Sequence, residues 1–262
     1  MVEPRSVLIT GASSGIGAAL ARAYAAPGLR LALGGRDRVR LDATAALCRA
    51  AGAEVSPAAL DVTDHAAMAA WIAAEDEARP LDLVVANAGI SAGTGGGGES
   101  EAQVRRIFAA NLDGVLNTIH PAVARMAART PPPGQTRGQI AIVSSLAGYR
   151  GFPGAPAYSA SKAAVKVYGE ALRGELKATG IAVSVICPGY VATPMTEGND
   201  FPMPGLMSAE RAAAIIVRGL ARNRPRIAFP WTTAAGAWLA ASLPPAWVDA
   251  ILVRLPKKAA ER

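Results

Sequence analysis

The sequence predicts an α/β domain built on a doubly wound, seven-stranded parallel sheet with helices on both faces. Three observations predict it. The chain has 262 residues, a length that one α/β domain commonly reaches undivided. Hydrophobic residues make up 51% of it, enough for a core on both sheet faces, and short apolar runs alternate with longer helical stretches, as in βαβ units. We expect residues 1–230 to form the main part and residues 231–262 a helical extension of the same domain.

Seven short apolar segments are typical of buried strands. Residues 7–10, 30–34, 54–60, 83–86, 139–143, 182–186 and 226–229 are predicted to be these strands. The glycine-rich segment 91–100 and the proline-rich segment 130–138 are predicted to be surface loops rather than domain linkers.

A glycine-rich turn follows the first predicted strand directly. Its sequence, GASSGIG, spans residues 11–17 and precedes an alanine-rich helical stretch at 18–26. Glycines let the backbone turn tightly, and N–H groups at a helix start bind pyrophosphate. The spacing differs from the commoner dinucleotide pattern G-x-G-x-x-G, and an ordinary turn is the alternative. The residues predicted to contact phosphate are Gly11, Ser13, Ser14, Gly15, Ile16 and Gly17.

Tyr158 and Lys162 lie four residues apart in a predicted helix, so their side chains share one face. A free tyrosine has a pKa of about 10. A cation about 4 Å away, at an effective dielectric constant of about 20, stabilises the phenolate by about 4 kcal/mol. The pair therefore predicts a general acid or base that works near neutral pH. The alternative is a lysine stem that packs on the ring at a solvated face.

Taken together, these motifs resemble the short-chain dehydrogenase/reductase family, whose segments occur here in the family's order. The matching segments are residues 10–17, Asp61-Val62, Asn87-Ala88-Gly89, Asn111, Ser144-Ser145, residues 158–162, and Pro188-Gly189 with Thr193. The resemblance implies a Rossmann-type fold in which residues 1–230 bind a dinucleotide and carry the catalytic site.

The resemblance also implies a catalytic tetrad of Asn111, Ser145, Tyr158 and Lys162. Ser145 is preferred to Ser144 because it lies thirteen residues before Tyr158, the separation that the family uses. Tyr158 would exchange a proton with the substrate oxygen, Ser145 would hold that oxygen, and Lys162 would contact the cofactor ribose and connect through water to Asn111. Considered singly, Ser145 is equally a helix cap and Asn111 a core amide.

The second predicted strand indicates which dinucleotide is used. Gly35 occupies the position where NAD-using relatives carry aspartate, and Arg36 follows it. A glycine leaves room for a 2′-phosphate and a guanidinium can pair with it, so we predict NADP, with NADPH preferred over NADH. The alternative is that Arg36 only begins a charged helix.

The rest of the cofactor site is implied by the resemblance. Asp61 would hydrogen-bond the adenine edge and Val62 would flank the ring. Asn87, Ala88 and Gly89 would bring backbone close to the cofactor, although Ala86 stands where the family more often has a second asparagine. The nicotinamide amide would be held by a segment that contains Pro188, Gly189, Val191 and Thr193.

These residues imply an oxidoreductase that moves a hydride between NADP(H) and a small-molecule carbonyl or secondary alcohol. An apolar set after Thr193 favours reduction of a hydrophobic ketone or aldehyde, although core packing explains it as well; it comprises Met195, Phe201, Met203, Leu206 and Met207. An NAD-dependent alcohol dehydrogenase working oxidatively is one alternative. A non-catalytic dinucleotide-sensing or scaffold protein is another, and it would usually lose Tyr158 or Lys162.

Composition argues against several other classes. The net charge of +7 comes from dispersed residues without a nucleic-acid-binding motif, so no nucleic acid partner is expected. Two cysteines are too few for a disulfide scaffold, and two histidines without a ligand cluster predict no metal. The first predicted strand leaves no room for a signal peptide, so the cytoplasm is expected.

The resemblance further implies a homo-oligomer, a dimer or a tetramer, that pairs through the helices after Val104 and around residues 158–177. The stripe predicted for this contact comprises Ala163, Ala164, Val167, Ala171 and Leu172, unless it packs on the chain's own sheet.

The C-terminal tail combines three tryptophans, Trp231, Trp238 and Trp247, with the cations Arg254, Lys257 and Lys258. Pro244-Pro245 and the charges exclude a membrane-spanning helix. A weak peripheral membrane contact, a dimer contact and a lid over the substrate pocket are the alternatives, and we favour a docked tail.

Overall fold

A seven-stranded sheet forms the centre of the computed structural model, which describes residues 4–95, 97–130 and 136–252. The strands are β1 (Ser6–Thr10), β2 (Arg30–Gly35), β3 (Glu54–Ala59), β4 (Leu83–Ala86), β5 (Gly138–Val143), β6 (Ile181–Pro188), β7 (Val191–Ala192), β8 (Met207–Ser208) and β9 (Arg226–Phe229). The large sheet has the order β3-β2-β1-β4-β5-β6-β9, and all its neighbouring pairs are parallel. This confirms the predicted doubly wound α/β fold.

Helices cover both faces of this sheet. They are α1 (Gly15–Tyr24), α2 (Arg38–Ala50), α3 (His65–Ala78), α4 (Glu101–Phe108), α5 (Gly114–Ala127), α6 (Pro156–Glu175), α7 (Pro194–Glu197), α8 (Ala209–Ala221), α9 (Trp231–Ser242) and α10 (Pro245–Leu252). Successive residues of β1 serve opposite faces: Val7 and Ile9 pack with α1, α2 and α8, whereas Leu8 packs with α3, α5 and α6. The two cores follow from the alternation of side chains along each strand.

The order of the strands reverses between β1 and β4, which are neighbours in the sheet. In open α/β sheets a crevice forms at such a switch point, outside the carboxyl ends of the strands. The turns that follow β1 and β4 therefore meet there, and both carry predicted cofactor residues.

Three local features differ from the sequence predictions. β6 continues to Pro188, two residues past its predicted end, because it pairs with β9 beyond the last β5 partner at Ile186. The pair of β7 and β8 was not predicted, since strands of two residues carry no periodicity. A π turn, Ala109–Asp113, connects α4 to α5.

The tail begins with α9, which packs through Ala234 and Ala237 on a cluster that contains Leu146 and Cys187. The predicted cations Arg254, Lys257 and Lys258 lie outside the described residues, as do residues 131–135 of the second predicted loop. In the described part of the chain, no helix is both long and apolar enough to cross a bilayer.

Candidate active site

A cavity of about 1190 Å³ lies at the carboxyl edge of the sheet. Every residue predicted to bind cofactor or take part in catalysis lines it, except Gly17 and Asn111, which lie just behind its wall. The folding of segments from along most of the chain to one edge of the sheet thus brings the predicted site together.

The glycine turn between β1 and α1 depends on its glycines. Gly11 and Gly15 have φ angles of 68° and 54°, a region that residues with a Cβ rarely adopt. A Cβ added to Gly17 would lie 2.3 Å from the Gly11 carbonyl oxygen. The helix can therefore start directly beneath the turn, with its first N–H groups available for an anion.

Asn87 joins this turn to the end of β4. Its Nδ2 donates to the carbonyl oxygens of Thr10, at 2.9 Å, and Gly11, at 3.3 Å, while the N–H groups of Asn87 and Ala88 donate to Thr10 Oγ1. The only asparagine these bonds need is Asn87. The alanine at position 86 therefore does not disrupt the hydrogen bonds between the end of β4 and the glycine turn. Gly89 follows, and a Cβ there would lie 2.9 Å from Asn111 Oδ1 and 3.3 Å from Lys162 Nζ.

Asn111 is fully buried in the π turn. Its Nδ2 donates to the Ile90 carbonyl and to Ser161 Oγ, both at 3.0 Å, and its Oδ1 accepts from the Ile90 N–H at 2.8 Å. Both amide donors are used within the protein. The side chain therefore fastens the loop after β4 to α6, and α6 carries the tyrosine and lysine.

The two serines after β5 have different partners. Ser144 is buried and donates to the Lys162 carbonyl oxygen at 2.6 Å. Ser145 Oγ accepts from the Ala147 N–H at 3.1 Å, lies 3.5 Å from the Pro188 carbonyl oxygen, and lines the cavity. Ser144 thus holds α6 against the end of β5. Ser145 caps the short turn that follows it, and its side chain also lines the cavity.

Tyr158 and Lys162 lie on the first two turns of α6 and face the cavity. Lys162 Nζ donates to the Val143 carbonyl oxygen at 2.9 Å and lies 5.9 Å from the centroid of the tyrosine ring. Burial lowers the pKa of Lys162 from 10.5 to about 8. Burial also raises the pKa of Tyr158, against a smaller opposing effect of its hydrogen bond with Ser145.

The raised pKa of Tyr158 differs from the effect that the four-residue spacing predicts. The spacing argument counts only the attraction between a phenolate and an ammonium. In the structure the ammonium is directed at a carbonyl oxygen, and the loss of water around the phenol dominates. The tyrosine is consequently held in its protonated form.

The end of the cavity that the sequence predicts to bind adenosine is lined by two arginines. Arg36 Nη1 lies 3.8 Å from Asp61 Oδ2, and both side chains are substantially exposed. Arg40, which the sequence analysis did not identify, lines the same end and pairs with Asp37 at 2.8 Å. The i,i+4 spacing does not relate it to Arg36, because Arg36 precedes Asp37, the N-cap of α2. A Cβ added to Gly35 would lie 3.3 Å from Ser13 Cβ, so an aspartate there would be crowded.

At the nicotinamide end, Val191 is buried in β7 and Thr193 begins α7. Thr196 Oγ1 donates to the Val191 carbonyl oxygen at 2.7 Å and accepts from the Thr193 N–H at 3.1 Å. A Cβ on Gly15 would lie 3.0 Å from Thr193 Cγ2, so the segment after β6 reaches the glycine turn.

The substrate end differs in part from the predicted apolar set. Met195 and Phe201 line the cavity, but Met207 is buried in the core beside α8, and Met203 and Leu206 lie outside the cavity wall. For Met207 the core-packing alternative is correct, because β8 turns its side chain inward. The wall also contains residues that the sequence analysis missed: Arg150, Phe152, Thr233, Gly236, Ala237 and Ala240.

No group of three or more histidine, cysteine or acidic residues within the described ranges could hold a metal ion. Cys48 and Cys187 are buried free thiols.

Comparisons with known proteins agree with this geometry. The family model described as short chain dehydrogenase matches residues 5–201. An uncharacterized oxidoreductase of Myxococcus xanthus (strain DK1622) is 40% identical over 252 residues, 96% of this chain and 97% of that protein. The ketoacyl reductase HetN of Nostoc sp. (strain PCC 7120) is 32% identical over 221 residues, 82% of this chain and 75% of that protein. A crystal structure of a short chain dehydrogenase/reductase from Burkholderia phymatum in complex with NAD has a TM-score of 0.83 and 26% identity, and covers 100% of both chains.

Proposed function

The chain belongs to the short-chain dehydrogenase/reductase family of oxidoreductases, and we propose that it reduces a hydrophobic ketone or aldehyde with NADPH. The observation that carries the proposal is that one cavity is lined by Tyr158, by the apolar rings of Phe152 and Phe201, and by the guanidinium groups of Arg36 and Arg40. The cofactor, when bound, supplies a hydride from C4 of its nicotinamide to the carbonyl carbon.

The protein's own residues supply the proton and hold the carbonyl. Tyr158 donates its phenolic proton to the oxygen as negative charge develops there. Ser145 donates a hydrogen bond to the same oxygen and fixes its position. A tyrosine whose pKa is raised by burial is protonated at neutral pH, as a general acid must be, which supports the reductive direction.

Lys162 stabilises the charged form of Tyr158 electrostatically. With a pKa of about 8 it is mostly charged at pH 7, so its ammonium favours the phenolate that remains after proton transfer. It also lies where it can bind the cofactor ribose. Asn111 has a positioning role. Its amide donates to the Ile90 carbonyl and to Ser161 Oγ, and Ser161 precedes this lysine in the chain.

NADP is proposed over NAD because two guanidinium groups, those of Arg36 and Arg40, line the proposed adenosine end of the cavity, beside Asp37 and Asp61. Arg36 and Arg40 can pair with a 2′-phosphate, and Gly35 leaves space that a carboxylate would occupy. The similar Burkholderia phymatum structure contains NAD, so the cofactor needs a direct test.

The test is a panel of carbonyl compounds assayed with NADPH and with NADH. It should contain aliphatic and aryl ketones, aldehydes and a β-ketoacyl thioester, the last because a similar protein is named a ketoacyl reductase. We expect turnover of apolar carbonyls, with a higher kcat/KM for NADPH. A preference for NADH, or oxidation of secondary alcohols alone, would contradict the proposal.

The proposal includes a homo-oligomer, a dimer or tetramer, that pairs through α5 and α6. Leu172, predicted for the contact stripe, instead packs in the chain's own core, because it lies on the opposite face of α6. The face that remains at the surface is small and apolar, with Ala160, Val167 and Ala171 exposed at helical spacing. Small side chains of this kind allow close helix packing.

The outward face of α9 and α10 is the surface to which we assign a weak peripheral membrane contact. Trp231 is 78% exposed, Trp238 59% and Trp247 68%. Tryptophan is enriched at membrane interfaces, and residues 227–248 contain no charged side chain. The small face of α9 meanwhile docks on the domain.

A further inference from the structure

We propose that α9 determines how long a substrate the cavity accepts, with Gly236 and Ala240 as specificity-determining positions. The substrate class is a ketone or aldehyde whose carbonyl bears an extended apolar arm. This inference rests on the proposed function, since it concerns the same cavity.

One face of α9 forms a wall of the cavity. Thr233, Gly236, Ala237 and Ala240 line it, at the spacing of three, four and seven residues that places side chains on one side of a helix. A Cβ added to Gly236 would meet no atom within 4 Å. Gly236 is exposed and lines the cavity, so a larger side chain at this position has room to extend and narrow the cavity.

The bulky residues of α9 lie elsewhere on the helix. Trp231, Trp238 and Leu239 are each more than half exposed. Large apolar side chains are normally buried in preference to small ones, so a helix that only covered the core would be expected to turn them inward. The opposite orientation keeps the cavity wide along α9.

This wall begins next to the reaction centre. Ala234 and Ala237 pack in one cluster with Leu146, the residue after Ser145. Phe152, Met195 and Phe201 line the same cavity. A substrate whose carbonyl oxygen lies at Ser145 can thus extend an apolar arm between α9 and these side chains.

Arg150 connects the far end of α9 to the cavity wall. Its side chain is 17% exposed and lines the cavity. Its guanidinium donates to the Leu243 carbonyl oxygen at 3.4 Å and to Asp249 Oδ1 at 3.3 Å. These two hydrogen bonds hold the end of α9, at Leu243, and the middle of α10, at Asp249, beside the pocket.

The test compares 2-butanone with 2-decanone in wild type and in the variants Gly236→Leu and Ala240→Leu. Ala235→Leu and Ala241→Leu are matched controls, since both residues are exposed and neither lines the cavity. Because a misfit of one methylene changes kcat/KM by about 10- to 200-fold, the two cavity variants should lose 2-decanone reduction at least tenfold. Reduction of 2-butanone, NADPH affinity and the two controls should stay within about threefold.

An unchanged chain-length profile in the cavity variants, or an equal loss for both ketones with NADPH affinity retained, would overturn the inference. Calorimetric binding of 2-decanone separates it from the proposed function. If wild type reduces no ketone but binds 2-decanone and Gly236→Leu does not, the reduction is refuted and the role of α9 is supported. If wild type neither reduces nor binds 2-decanone, both are refuted.

Discussion

Replacing Lys162 with methionine should change the pH dependence of stability as well as activity. Lys162 is 4% exposed and its ammonium has a single hydrogen bond in the described structure, to Val143. Methionine keeps an unbranched chain of similar length and removes the charge. The lost hydrogen bond costs about 1–3 kcal/mol at every pH, whereas the cost of the buried charge varies with pH.

The sign follows from the pKa values of the two states. Burial lowers the pKa of Lys162 to about 8 in the folded protein, against about 10.4 when it is exposed in the unfolded chain. Between these values the unfolded state binds the proton and the folded state does not, so stability rises with pH. Below pH 8 Lys162 is charged in both the folded and the unfolded state, so the folded protein is destabilised by the full cost of burying the ammonium, about 3 kcal/mol.

The measurement is urea unfolding of wild type and Lys162→Met from pH 7 to pH 10.5. The difference in unfolding free energy between them should shift by about 3 kcal/mol in favour of wild type as the pH rises across this window. Lys177→Met, at an exposed position beyond α6, controls for the loss of a surface lysine. A difference between wild type and Lys162→Met that stays constant with pH would refute the buried-charge argument.

Four further predictions concern the proposed function. Tyr158→Phe should lower turnover by about 10²–10⁴ with NADPH affinity retained, and wild-type turnover in the variant would contradict its role as acid. Arg36→Ala and Arg40→Ala should each weaken NADPH about tenfold or more and NADH much less, whereas equal weakening in titrations would place the phosphate elsewhere. Val167→Glu should dissociate the oligomer in light scattering, and an unchanged mass would exclude the α6 face. Trp238→Ser should reduce co-sedimentation with anionic vesicles at low salt. If the wild-type protein does not co-sediment with these vesicles, the proposed membrane contact is refuted.

The sheet was predictable from sequence because buried parallel strands are nearly continuous apolar runs. The strands at 83–86 and 226–229 were predicted with their observed bounds. The end of β6 was not, because proline lacks the N–H that a central strand needs. The structure accommodates Pro188 where β5 has already ended and only β9 pairs with β6.

Residue types in the site were easier to predict than their interactions. The motifs identify Asn111 and Ser145, and the cap considered for Ser145 forms, but they do not indicate that the Asn111 amide bonds to Ile90 and Ser161. Arg40 belongs to the same end of the cavity as Arg36, which becomes visible only when α2 is placed on β2. The Asn111 bonds join residues 21 and 50 positions apart in sequence, and local patterns carry no information about such pairs.

The orientation of α9 shows why the substrate end is the hardest part to predict. The helix contains no charged residue, so its sequence lacks the polar face that would indicate which side meets solvent. Burial preference alone would turn Trp231 and Trp238 inward. In the structure Ala234 and Ala237 instead pack on the cluster that contains Leu146, the residue after Ser145. The outward tryptophans and the open wall at Gly236 are thus two consequences of one rotation of the helix, and a substitution that rotated it would change the surface and the substrate pocket together.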